Sequence, residues 1–205
     1  MADYFTELRQ TGTVRKAIIC IPGNHELTLD HKHYDKVWQQ FLPPGQTEKL
    51  NVGPATEALT RSCIYLEDDA FSLGSIKFYG SPCQPKFWGA FNVPRDYMDD
   101  KWDQILSDTD VLITHGPPLG RGDVTSTNDR VGCVSLMKHV QSRIRPRLHV
   151  FGHVHEGYGV SYDGVTLYVN ASILSNNNKL NHCIVIDLPY DHDLPAMLVL
   201  ARPDV

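Results

Sequence analysis

Three apolar runs in this 205-residue chain each stop at a turn that carries histidine. They read Ile18-Ile19-Cys20-Ile21-Pro22-Gly23-Asn24-His25-Glu26, Val111-Leu112-Ile113-Thr114-His115-Gly116-Pro117-Pro118 and Val150-Phe151-Gly152-His153-Val154-His155. Short β-branched runs bounded by Gly and Pro read as buried strands followed by loops. Strands of this kind deliver their terminal residues to one edge of a sheet. Imidazoles gathered there with an Asn and carboxylate oxygens suit divalent transition metals.

The remaining pattern alternates helix and strand early and is dominated by strands late. A strand is expected over Val14 to Ile21. Helical spacing follows at Tyr34, Val37, Trp38 and Phe41, and a short helix over Ala55 to Arg61. Cys63–Leu66, Ala70–Leu73 and Ile76–Gly80, separated by Asp68-Asp69 and Gly74-Ser75, suggest an antiparallel meander. Pro82 to Pro94 reads as a structured loop, and Asp96 to Leu106 as a helix with Asp96 at its N-cap. Val131 to Ile144 is amphipathic at helical spacing. Strands are expected at Asp110–Thr114, Leu148–Phe151, Gly159–Tyr162, Val165–Asn170, His182–Asp187 and Met197–Ala201. The whole implies a single α/β (α+β) domain over residues 1–205, with two sheets inside and helices outside.

Composition narrows the partners. A net charge of −5 with 21% charged residues gives no electrostatic reason to bind a nucleic-acid polymer or a membrane. A small phosphorylated substrate is easier to accommodate. Five scattered cysteines, none in a CxxC pair, read as reduced thiols of a cytoplasmic protein. The N-terminal residues lack the basic and apolar regions of a signal peptide, and no apolar run is long enough to span a bilayer.

Taken together, Gly23-Asn24-His25-Glu26-Leu27-Thr28, Thr114-His115-Gly116-Pro117-Pro118-Leu119-Gly120, Leu148 through Gly159 with its Gly-His-Val-His core, and Tyr168-Val169-Asn170-Ala171-Ser172 resemble the calcineurin-like metallophosphoesterase superfamily. They are most similar to its metallophosphoesterase-domain-containing phosphodiesterases, over about residues 14 to 187. The resemblance implies a four-layer αββα sandwich and two divalent ions that hold a hydroxide and share the phosphate oxygens. Mn²⁺ is the ion expected, with Fe, Zn, Co or Ni as alternatives. It implies hydrolysis of cyclic nucleotides or other small phosphodiesters.

Residue by residue, the resemblance assigns Asn24, His115 and His153 to the second metal and His155 to the first. His25 matches the histidine that approaches the leaving-group oxygen, and Glu26 braces its loop. His149 lies on the strand face opposite Val150, where a supporting role behind the site is open to it. Asn92 and Arg95 are candidates for substrate contact, beside Phe87 and Trp88, which could stack on a ring.

The chain also departs from the family pattern. No Asp-x-His precedes Asn24, and Asp30-His31 lies after the motif it should precede. The stretch Ala2 to Leu8 looks like the one that begins with the metal-bridging Asp. An ungapped match puts Tyr4 at the ligand position, and one inserted residue puts Asp3 there. Leu8 to Val14 is too short for the helix expected after it. The chain therefore reads as shortened at its N-terminus relative to the family, with part of the leading strands absent. That implies weak or mononuclear metal binding, reduced hydrolysis, and an open sheet edge available for self-association. The rival reading is a catalytically impaired relative that binds a nucleotide or a protein partner.

Overall fold

The computed structural model describes residues 1–199, apart from the side chain of Ala55. The chain opens with helix α1 (Ala2–Gln10) and strand β1 (Ile19–Cys20). Helix α2 (His31–Val37), a 3₁₀ turn and helix α3 (Gly53–Ser62) lead to β2 (Ile64–Tyr65). Next come β3 (Asp69–Leu73), β4 (Ile76–Ser81), β5 (Gln84–Pro85), β6 (Asn92–Val93) and α4 (Met98–Asp103). Strand β7 (Val111–Thr114), α5 (Val134–His139) and β8 (Leu148–Phe151) follow. The chain ends with β9 (Gly159–Tyr162), β10 (Leu167–Asn170), β11 (Ile186–Asp187) and β12 (Met197–Leu198).

The main sheet has six strands in the order β3-β4-β7-β8-β10-β9. Its four central strands are parallel, with β3 and β9 antiparallel on the two edges. Parallel strands are covered on both faces, which explains their near-continuous apolar runs. On one face Leu112, Phe151, Tyr79 and Tyr168 pack against Trp102 and Met98 of α4 and Leu136 and Val140 around α5. On the other, Val111, Leu148, Leu167 and Val169 meet Ile184, Ile186, Leu188 and Ala196.

The β1–β2 and β11–β12 pairs form the second strand layer. A Cβ on Gly80, on the Ile76/Phe78 face of β4, would come within 2.5 Å of Leu66 Cβ and 2.8 Å of Ile21 Cγ2, so the end of the β1–β2 pair crosses that face. Outside it, Phe5 of α1 and Leu59 of α3 pack with Ile18, Cys20, Cys63 and Tyr65. The order of layers is helices, sheet, paired strands, helices.

Several elements differ from the sequence reading. Of Val14–Ile21 only Ile19–Cys20 is strand, because its partner β2 offers only two residues in register. The expected meander is a single hairpin, β3–β4; β2 instead pairs in parallel with β1. Asp96 does not cap α4. It lies in a 3₁₀ turn, Arg95–Tyr97, and the helix starts at Met98 and ends at Asp103. The expected helix over Val131–Ile144 begins only at Val134, where Cys133 Sγ accepts from the Leu136 N–H, and widens to a π-turn over Val140–Ile144. The loop Pro82–Pro94 carries the small pair β5–β6. The strand expected over His182–Asp187 is confined to Ile186–Asp187, and that over Met197–Ala201 to Met197–Leu198; residues 200–201 lie outside the described part. Among the described residues no helix is long and apolar enough to cross a membrane.

His149 of β8 is fully enclosed between the rings of Phe151 and Tyr168. Burial pushes its pKa down to about 3. Above the ordinary value of 6.5 neither state is protonated and full stability is present. As pH falls from 6.5 towards 3, only the unfolded chain gains a proton, so stability declines. The urea midpoint should therefore fall across that window, and less steeply in His149→Gln. An equal pH dependence in both proteins would show that His149 is not the group responsible.

Candidate functional site

Because β4, β7, β8 and β10 run parallel, their carboxyl ends open on one edge of the sheet, and the loops that leave them build a cleft of about 1130 Å³. The Asn24-His25 turn that follows β1 reaches the same place. Asn24, His25, His115, His153, His155 and Arg95 all line this cleft, together with Glu26, Lys86, Phe87 and Trp88. Asp3 and Asn92 are not among the lining residues.

Asp3 lies exposed in the first turn of α1. The residues around it form a helix rather than a strand end, so the structure does not bring Asp3 to the histidines. Asn92 is occupied within its own loop. Its Oδ1 accepts from the Phe87 N–H at 2.6 Å, and its Nδ2 donates to the Gly89 carbonyl at 2.6 Å. Asn92 thus shapes the segment that displays Phe87 and Trp88, instead of facing a ligand.

The tightest geometry joins Asn24 to His115. Asn24 Nδ2 donates to the Trp88 carbonyl at 3.2 Å, which turns Oδ1 towards His115 Nε2 at 2.8 Å. The same Nε2 lies 3.3 Å from the Asn24 backbone N–H. One ring nitrogen cannot accept from that N–H and also donate to Oδ1. When it accepts, two lone pairs face each other, as two donors to a common cation would. The His153 ring packs beside His115 with centroids 4.6 Å apart. Burial, then the neighbouring His153 and His25, push the His115 pKa down to about 3, and burial likewise lowers that of His153. Both are neutral near pH 7, the state in which imidazole donates to a metal or a proton.

Glu26 accepts from the Gly23 N–H at 2.6 Å and so closes its own turn. Gly23 is needed here, because a Cβ would stand 2.6 Å from His115 Cε1. His25 is exposed, its ring 5.0 Å from that of Trp88, and Phe87 stands edge-on to His153 at 5.4 Å. The acidic lining residues are Glu26 and Glu156, and the latter accepts from the Ser126 N–H. Lys86 and Arg95 are also in the lining and offer cationic partners for phosphate oxygens.

The residues present do not compose a two-metal centre. Among the described residues, no group of three or more His, Cys, Asp or Glu is arranged to hold an ion. What remains is the neutral donor set Asn24, His115 and His153, without a carboxylate to balance a divalent charge.

Two supports stand behind the site, one of them the His149 role left open by the sequence. Asn170, buried at the end of β10, donates to the carbonyls of Val154 (2.8 Å) and Gly122 (3.0 Å), and accepts from the backbone and hydroxyl of Ser172. It holds the turn in which His153 adopts φ +70°, a strained value for a non-glycine residue. Behind His115, the Thr114 hydroxyl donates to the Gly116 carbonyl, which leaves its oxygen to accept from His149 Nε2–H at 2.9 Å. In the sequence Asn170 and Thr114 are short polar residues at the ends of otherwise apolar strands, and the roles of their side chains had no reading there.

Asn170→Ala should cost about 1–3 kcal/mol, because the Gly122 carbonyl loses its donor, the Val154 carbonyl loses one of three, and the Ser172 N–H loses its acceptor. It should also speed amide exchange at Val154 and His155; unchanged exchange would remove the supporting role. Gly23→Ala should leave the far-ultraviolet circular dichroism intact but shift the His115 ring resonances, because the methyl group needs the space that His115 fills. An unmoved His115 resonance would contradict that packing.

A model of the calcineurin-like phosphoesterase family matches residues 2–157. Metallophosphoesterase domain-containing protein 1 of Homo sapiens and of Mus musculus are each 48% identical over 178 residues, which is 83% of this chain and 55% of theirs. A UPF0046 protein of Caenorhabditis elegans is 40% identical over 185 residues, covering 83% of this chain and 46% of its own. The chain thus spans about half the length of the curated relatives it matches. A crystal structure that is 21% identical superposes with a TM-score of 0.51 over 83% of this chain and 65% of that one, a likeness of fold. Members of this family are hydrolases that use divalent metal ions. On its motifs, its layers and these matches, the chain belongs to the calcineurin-like phosphoesterase family.

Proposed function

We propose that this chain is a phosphodiesterase for small phosphodiesters, cyclic nucleotides among them, with His25 as proton donor to the leaving oxygen. The observation that supports it is the convergence of His25, His115, His153, His155 and Arg95 on one cleft beside two exposed aromatic rings.

In this reading Arg95 pairs with the phosphate oxygens, a guanidinium being suited to hold two of them at once. Phe87 and Trp88 offer their faces to a base or other ring. His25 stands at the open side of the cleft against Trp88, where an imidazolium can give up its proton as charge develops on the departing oxygen. A divalent ion, Mn²⁺ by resemblance, is the expected cofactor, and the cytoplasm the expected location. The five cysteines, all free, are compatible with the latter.

A second reading is a relative that binds a nucleotide or small phosphoester without turning it over. The donor set favours it, because it lacks carboxylates and falls short of a two-metal centre.

Metal stoichiometry after Mn²⁺ reconstitution, measured beside hydrolysis of a phosphodiester in the same sample, decides between the two. Two ions per chain with metal-dependent turnover would support the enzyme. One ion or none, without turnover, would support the binding relative. If the chain is active, His25→Ala should lower turnover by about 10²–10⁴-fold with bound metal unchanged. Undiminished turnover in that variant would remove His25 as the proton donor.

A further inference from the structure

The cleft has two apolar lips, and the histidines stand between them. Along the sheet the parallel strands run β4, β7, β8, β10. The loop that follows β4 carries Phe87 and Trp88, 63% and 52% exposed. His115 follows β7, and His153 and His155 follow β8. The segment after β10 carries Ile173, 71% exposed, and Leu174, both lining the same cleft. With neighbouring strands about 4.8 Å apart, the ends of β4 and β10 are separated by roughly 14 Å.

Neither lip is a loose loop. The aromatic one is tied down by Asn92 and by the Ala90 N–H, which donates to the Asn24 carbonyl at 2.8 Å. The aliphatic one is a short hairpin in which Leu174 pairs with Leu180, anchored by Asn181 Nδ2 on the Ser172 carbonyl at 2.8 Å. At about 1130 Å³ the cleft exceeds the roughly 300–1,000 Å³ of an ordinary small-molecule pocket.

A phosphate centred on the histidines would therefore have apolar surface on both sides. Building on the phosphodiester reading above, we infer that the preferred ligand is an acyclic phosphodiester with a separate ring or apolar group on each ester oxygen. One arm lies on Phe87 and Trp88, and the other on Ile173 and Leu174. A cyclic phosphodiester ties both ester oxygens to one sugar, presents a single arm and leaves one lip in water. Lys86 and Arg95 in the lining can pair with the phosphate oxygens, while the lining carboxylates Glu26 and Glu156 are turned to the Gly23 and Ser126 N–H groups.

Titration calorimetry on the whole chain compares bis(4-nitrophenyl) phosphate with methyl 4-nitrophenyl phosphate. The two carry the same charge and share one aryl arm, so they differ only in the second. The bis-aryl ester should bind about tenfold tighter, because its second ring is removed from water. Ile173→Asn, an uncharged change at an exposed position, should reduce that advantage to less than about twofold. Trp88→Ala should weaken both esters. Equal affinity of the two esters for the unaltered chain would overturn the two-arm inference and leave the phosphodiester site standing. Failure of both to bind would remove the phosphodiester site itself, and the inference with it.

Discussion

The site depends on a hydrogen-bond ladder that does not stop where its strands do. Beyond the last paired residues of β4, β7, β8 and β10, the His115 N–H donates to the Ser81 carbonyl at 3.1 Å. The Gly152 N–H donates to the His115 carbonyl at 3.0 Å, and the Ala171 N–H to that of Phe151 at 2.7 Å. Each turn is therefore stitched to the next strand over. The backbone of His115 is both donor and acceptor in this line, so its imidazole is aimed by the sheet and not by its own loop. A group placed at the end of a rigid strand keeps its geometry better than one on a free loop.

Around that line, buried polar side chains satisfy the carbonyls that the turns leave open. Asn170 and Ser172 secure the His153 turn, Thr114 and His149 secure the His115 turn, and Glu26 closes the Asn24 turn. Among the described residues His149 Nδ1 has no hydrogen-bond partner, enclosed as it is between Phe151 and Tyr168. An unpaired acceptor in that position costs stability. It is the part of this support with the least compensation.

The family resemblance and the donor set pull in different directions. The scaffold, the histidine turns and the cleft are those of a phosphoesterase, while the carboxylates that would complete two metal sites are not brought to it. The one sequence candidate, Asp3, is carried off by a helix. Its neighbours Tyr4, Thr6, Glu7 and Leu8 have no strand to pair with and adopt the local conformation that their own hydrogen bonds supply. The cleft carries both signs of charge, Lys86 and Arg95 beside Glu26 and Glu156, and the two carboxylates are oriented by the Gly23 and Ser126 N–H groups.

The sequence by itself determined the parts of this protein that depend on local rules. Apolar runs ending in Gly and Pro marked β7 and β8, and their histidines arrived at one cleft with Asn24, His25 and Arg95. The brace at Glu26 was legible only through the resemblance of its motif, and the structure closes the turn through the Gly23 N–H. What pairs with what was decided only in three dimensions. Strand β2 lies in parallel beside β1 instead of joining the hairpin that follows it, since a short apolar run carries no record of its partner. Asn92 turned inward because the Phe87 N–H and the Gly89 carbonyl, fixed by the fold, sit within its reach. The pairing of an aromatic lip with an aliphatic one likewise has no trace in a linear reading. Phe87 and Ile173 are far apart in the chain, and the parallel order of four strands sets them on either side of the same histidines.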